Sequence, residues 1–183
     1  RALATAEERG VCRLVVINKI DSDDADPEAA LEAVRRVFGP RCLPLNLPAR
    51  GGRAVADCFC GPTQETPDFS SVEAAHAEIT DRIIELDDAL MERYLESGEE
   101  PALEDLHAPF ERALREGHLI PVCFVSARTG AGMRQLLRIV TELLPNPLEG
   151  NPLEFTAHGD RRFVAAGNGA PAERRPGGNG DSA

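Results

Sequence analysis

Leu14-Val15-Val16-Ile17-Asn18-Lys19-Ile20-Asp21 is the stretch that decides how this chain is read. It closes an apolar, β-branched run that begins at Cys12. Such a run predicts a strand buried on both faces, as in a parallel sheet covered by helices. Residues 18–25 are polar and acidic and read as a loop. Asp26-Pro27 then opens a helix, because Asp caps well and Pro has no donor to lose at the first helical position. Ala30, Leu31, Val34, Val37 and Phe38 recur at helical spacing, and Gly39-Pro40 ends the run.

The same grammar returns near the other end. Leu119-Ile120-Pro121-Val122-Cys123-Phe124-Val125 is a second buried-type strand, followed by Ser126-Ala127-Arg128-Thr129-Gly130. Met133, Leu136, Leu137, Val140, Leu143 and Leu144 then trace an amphipathic helix up to Pro145. Strand, polar loop and helix occurring twice predict a doubly wound α/β sheet, with ligands at the carboxyl ends of the strands. The expected division is 1–38 with 119–150 as the sheet-forming part, 39–118 as an inserted helix-rich α+β subdomain, and 151–183 as an extension. From Ala165 onward Gly, Pro, Asn and charge predominate, which predicts a disordered tail.

Within the insertion, residues 42–48 read as a short strand whose prolines favour an edge. Residues 53–60 read as a returning strand with Cys58 and Cys60 on one face. Val72, Ala75, Ile79, Ile83, Leu86, Leu90 and Tyr94 predict one long helix from Ser70 or Ser71 to Gly98. Pro109 is expected to start a helix rather than lie inside one.

The chain has 183 residues, 42% of them apolar, with a net charge of −11. That balance argues against a broad nucleic-acid surface. No run approaches the roughly 18 apolar residues of a membrane span. Five cysteines without metal-type spacing read as reduced, structural thiols of a cytoplasmic protein. Arg1 to Gly10 reads as the end of a helix, which suggests a fragment.

The two loops carry the chemistry. Guanine presents two donors, N1–H and N2–H, on its Watson–Crick edge. A carboxylate accepts both at matching separation, so Asp21 can select guanine over adenine. Asn18 can reach the N7 side and bond across to the second loop. Lys19 can lay its stem over the base with its ammonium in water. Ile20 anchors the loop in the core. From the second loop, the Ala127 amide can reach O6, and Ser126 can hold Asp21 or the loop. The plainer alternative is Lys19 as a solvated cation beside an Asp21 that caps a turn.

Lys19 is the only lysine, and neither G-x-x-x-x-G-K-[ST] nor D-x-x-G occurs. The phosphate cradle and magnesium ligands are therefore expected outside this chain, which is expected to be inactive alone.

The quoted loops, together with Phe38-Gly39-Pro40, the run Leu86 to Leu95 and the run Leu143 to Pro147, resemble the translation elongation factor G family over about residues 1–150. The resemblance implies the carboxy-terminal half of a P-loop-GTPase-type domain of three layers. It implies GTP or GDP as ligand, with Mg2+ only in a full-length parent. Asn18, Lys19 and Asp21 match the guanine-specificity motif, and Ser126 and Ala127 match its partner loop. The implied activity is ribosome-dependent GTP hydrolysis driving tRNA and mRNA translocation, and the insertion matches the part thought to contact the ribosomal stalk protein. The competing class is a diverged, nucleotide-free module kept for protein contact. Exposed strand edges also predict a chain that is marginal alone or dimerises.

Overall fold

The structure is a computed structural model. It describes residues 11–61 and 65–144, Ala6, and the backbone of three short strands further on. Cys12–Leu144 forms one compact unit. Its centre is a three-stranded parallel sheet of β1 (Val15–Ile17), β5 (Ile120–Phe124) and β2 (Cys42–Pro44), in the order β1-β5-β2. Val15 pairs with Val122, and Cys42 with Ile120. Helix α1 (Pro27–Phe38) crosses from β1 to β2, and α5 (Met133–Arg138) follows β5, ending in a π-helical turn at Ile139–Leu143. This is the α/β architecture that the sequence predicts. Ile120, Val122, Cys123 and Phe124 are fully buried, as a central strand requires.

Pro121 sits in that central strand without breaking it. Val125 donates to Ile17 O on the β1 side, and Leu45 donates to Val122 O on the β2 side. Successive strand residues alternate sides, so the missing Pro121 donor points toward β1. There the pairing starts only at Val122.

Strand β2 takes its place at the sheet edge, inside the stretch 39–118 expected as an insertion. Arg41 seats it: its Nε donates to Phe38 O at 3.0 Å and its Nη1 to Gly117 O at 3.1 Å. The chain then bends into an antiparallel hairpin of β3 (Asn46–Ala49) and β4 (Ala54–Asp57). Strand β4 ends before the cysteines. Asp57 Oδ1 accepts from Phe59 N at 3.0 Å and Cys60 N at 2.7 Å, a turn that competes with further pairing. The expectation that Cys58 and Cys60 share a strand face is thus overturned. Burial pushes the Cys58 and Cys123 thiols up to about 12 and Cys60 to about 11, so all three are protonated at neutral pH.

The predicted long helix is two helices, α2 (Val72–Glu85) and α3 (Asp88–Ser97). The break is capped: Asp87 Oδ1 accepts from Leu90 N at 3.0 Å, and Arg112 pairs with the same carboxylate. An apolar stripe that runs through both helices hides this cap. Helix α4 (Leu103–Glu116) contains Pro109 rather than starting at it. Leu106, Phe110, Ala113 and Leu114 bury its inner face and compensate for the lost bond.

Residues 1–11 and 145–183 form a second unit. Three strands, β6 (Glu154–Ala157), β7 (Arg161–Ala165) and β8 (Pro171–Glu173), pair antiparallel there. Strand β8 falls within the stretch expected to lack structure; it pairs through backbone groups, which composition does not report. The predicted helix end at Arg1–Gly10 lies outside the described residues, Ala6 excepted.

Candidate functional site

Strands β1 and β5 run parallel and stop together, so their two following loops meet at one end of the sheet. Asn18, Lys19, Asp21, Ser22, Asp23, Ala127 and Arg128 line a cleft there of about 470 Å³. All five residues singled out in the sequence lie in or directly behind this cleft, with Ser126 fully buried beneath it.

The first loop turns sharply. Lys19 is one of three described non-glycine residues with positive φ, at 66°. Asn18 Oδ1 accepts from Lys19 N at 2.7 Å, and Ser22 N donates to Lys19 O at 3.1 Å. Ile20 is 3% exposed and roots the loop in the core, as expected. Lys19 itself is exposed, its charge left to solvent.

Asn18 Oδ1 also accepts from Ala127 N at 3.0 Å and so ties the loops together. A bond from Asn18 across to the second loop is what the sequence predicts, without naming its partner. It also claims the amide expected to face O6 of a base. The physical reason is reach: one step past the last strand pair the parallel register sets Asn18 level with Val125, and its side chain spans the two further residues to the Ala127 amide.

The Asp21 side chain is only 5% exposed. The Ser126 hydroxyl first, and the Arg128 guanidinium second, hold its carboxyl below the usual carboxylate range. Arg128 Nε donates to Asp21 Oδ2 at 2.6 Å. Arg128 is the residue that sequence reasoning missed. Its place directly after Ala127 on a loop facing Asp21 was the available signal. Ser126 acts twice, because its Oγ also accepts from Thr129 N at 3.1 Å.

The second loop closes on itself. Gly130 N donates to Ser126 O and Ser126 N to Ala131 O, both at 2.8 Å. Gly132 then passes so close to β5 that a Cβ there would lie 2.2 Å from Phe124 O. On the far side of β5, Asn46 is fully buried and pairs with the backbone of Phe124 in both directions. Phe124 N donates to Asn46 Oδ1 at 2.7 Å, and Asn46 Nδ2 donates to Phe124 O at 3.0 Å. The side chain thereby continues the ladder where the backbone turns away from β5 into β3.

Paired loops at the carboxyl ends of adjacent parallel strands, with a carboxylate set behind a cleft, are where α/β domains with parallel sheets bind ligands. The protein-family model for the elongation factor Tu GTP-binding domain matches residues 1–146, and the chain belongs to this family. Within it the chain is similar to elongation factor G. It is 36% identical to an elongation factor G-like protein of Mycobacterium tuberculosis over 177 residues, 88% of this chain and 24% of that protein. It is 29% identical to elongation factor G of Fervidobacterium nodosum, covering 91% of this chain and 27% of that one. A crystal structure from Thermus thermophilus superposes with a TM-score of 0.69 at 32% identity, over 90% of this chain and 28% of that chain. The chain therefore spans about a quarter of the length of these relatives. Among the described residues no helix is long and apolar enough to cross a membrane.

Proposed function

We propose that this chain is the guanine-recognising part of a ribosome-dependent translational GTPase of the elongation factor G type. The observation that carries the reading is Asp21, a carboxylate held charged beneath a cleft that Asn18 and Ala127 also line. Asp21 takes the N1 and N2 donors of the base. Asn18 Nδ2 serves N7. The Ala127 amide serves O6 by sharing its hydrogen between O6 and Asn18 Oδ1, a three-centre arrangement common in proteins. Lys19 covers the base plane with its stem. Ser126 holds Asp21 from below. Phosphate handling and the Mg2+ that accompanies it belong to the remainder of the parent protein, as does the coupling of hydrolysis to tRNA and mRNA translocation.

The 39–118 stretch is proposed as the ribosome-facing part, toward the stalk protein. Glu92, Glu96, Glu99, Glu100 and Glu104 are exposed around the junction of α3 and α4 and suit a basic partner. Titration of the full-length polypeptide with GDP and ADP tests the base reading. A clear preference for GDP is the expected result, and equal affinities refute it.

A second reading is a nucleotide-free interaction module. The contacts that favour it are Arg128 on Asp21 and the Ala127 amide on Asn18, which leave the site satisfied by the chain itself. It predicts stalk-protein binding with no response to guanine nucleotide.

A further inference from the structure

The loop that carries Asp21 rests on a part of the chain remote in sequence. The turn between β3 and β4 runs through Arg50, Gly51 and Gly52, all with positive φ. Gly52 is buried, and its Cα faces the peptide bond between Ile20 and Asp21. A Cβ on Gly52 would lie 1.9 Å from Ile20 O, 2.4 Å from Ile20 C and 3.0 Å from Asp21 N. Gly51, next to it and equally left-handed, faces open space. The contact is therefore specific to one residue of the turn.

The turn is also held from behind. The Asp68 carboxylate accepts from Gly51 N at 3.0 Å and from Gly52 N at 3.0 Å, one oxygen to each. Asp68 N donates to Pro48 O at 2.8 Å, and Ala49 bridges to Pro67, which fixes Asp68 against the hairpin. Arg50 and Glu65 pair at 2.7 Å across the same loop. A continuous chain of contacts thus runs from Asp68 through Gly52 to the backbone of Asp21.

We infer that Gly52, held in place by the Asp68 clamp, is a positioning residue for guanine discrimination. This inference rests on the guanine reading of Asp21. The physical reason is the narrow tolerance of a bidentate carboxylate. Its two acceptors must meet two donors within a few tenths of an ångström. Ile20 is anchored in the core on one side, and its N–H reaches Val125 O at 3.4 Å. Gly52 supplies the floor on the other side. Any side chain at 52 displaces the Ile20–Asp21 peptide by about 1 Å, a misplacement large enough to cost one to two orders of magnitude in a positioned interaction.

The test compares GDP with IDP, which lacks the N2 amino group and so reads the Asp21 contact directly. Dissociation constants are measured in the full-length polypeptide for the unsubstituted protein, Gly52→Ala, Gly51→Ala and Asp68→Asn. Both glycine variants carry the same left-handed strain, but only Gly52→Ala meets Ile20. The expected result is an about tenfold or greater loss of GDP-over-IDP preference in Gly52→Ala, with the preference kept in Gly51→Ala. Asp68→Asn, which keeps only one of the two acceptors and sets a donor against the other glycine N–H, is expected to lose the preference about threefold with little change in thermal midpoint.

Retained preference in Gly52→Ala overturns the inference, and so does an equal loss in both glycine variants, since that is strain alone. If Gly52→Ala does not fold, Asp68→Asn decides: reduced preference supports the clamp, and unchanged preference overturns it. Absence of any GDP-over-IDP preference in the unsubstituted protein refutes the guanine reading, and the inference falls with it. That outcome is read before any variant is made.

Discussion

The two loops at the end of the sheet have the same ancestry in strand geometry but not the same source of order. The loop 126–130 is closed by its own bonds: Ser126 N to Ala131 O, Gly130 N to Ser126 O, and Thr129 N to Ser126 Oγ. The loop 18–21 borrows its order. Asn18 is held by Ala127, Asp21 by Ser126 and Arg128, and the Ile20–Asp21 peptide by Gly52. On the proposed guanine reading the borrowed loop carries the discriminating carboxylate, so base discrimination would depend on Ser126 and Gly52, which support Asp21 without touching the base.

The most severe way to break this comparison is Asp21→Asn. Replacing a charged acceptor pair by an amide removes one acceptor and sets a donor against N1–H or N2–H. GDP affinity is expected to fall about 10- to 100-fold, with a gain for xanthosine diphosphate, whose C2 carbonyl accepts from the new amide. Competition binding of the two nucleotides checks this.

Next comes Ser126→Ala, which strikes both loops at once by removing the hydroxyl from Asp21 and the acceptor from Thr129. An about five- to tenfold loss of GDP affinity is expected, together with a lowered thermal midpoint. If only the midpoint moves, Ser126 supports its own loop and not its neighbour.

Arg128→Ala has the opposite sign. Its guanidinium occupies an oxygen of the carboxylate that the base needs, so its removal is expected to tighten GDP binding. The side chain is 78% exposed, which limits the effect to about two- to fivefold. Isothermal titration at two salt concentrations measures it, with the larger gain at low salt.

The smallest effect is the pH response. The Asp21 carboxyl titrates below the usual carboxylate range in the folded protein. Its contribution to stability is therefore fully present above the unfolded value of about 3.9, and is lost as pH falls through the depressed folded value. Carboxyl NMR is expected to show Asp21 charged at pH 4. The titration should move upward in Ser126→Ala more than in Arg128→Ala, following the order of the two causes.

What was readable in the sequence follows the same division. Strands β1 and β5 and the meeting of their loops were legible, because buried apolar runs followed by polar turns are local signals. That Asn18 bonds across to the second loop followed from the same pattern; that its partner there is the Ala127 amide did not. Gly52 beneath Ile20, Asn46 beside Phe124 and Arg112 on Asp87 were not, because each joins residues far apart in sequence. The split of α2 from α3 was hidden by a stripe that stays in phase across the break, and Pro109 by a buried face strong enough to override it. Arg128 went unread because its one signal, a place directly after Ala127 opposite Asp21, has meaning only once the two loops are known to meet.

Asn46 leaves one more consequence. The amide hydrogen of Phe124 is held by a side chain with no solvent exposure, on the strand that delivers the second loop. It can exchange with deuterium only when that side chain lets go or β5 opens. The Phe124 amide is thus a clock inside the molecule, and its exchange rate with and without nucleotide reports how firmly ligand at the sheet end grips the strand beneath it.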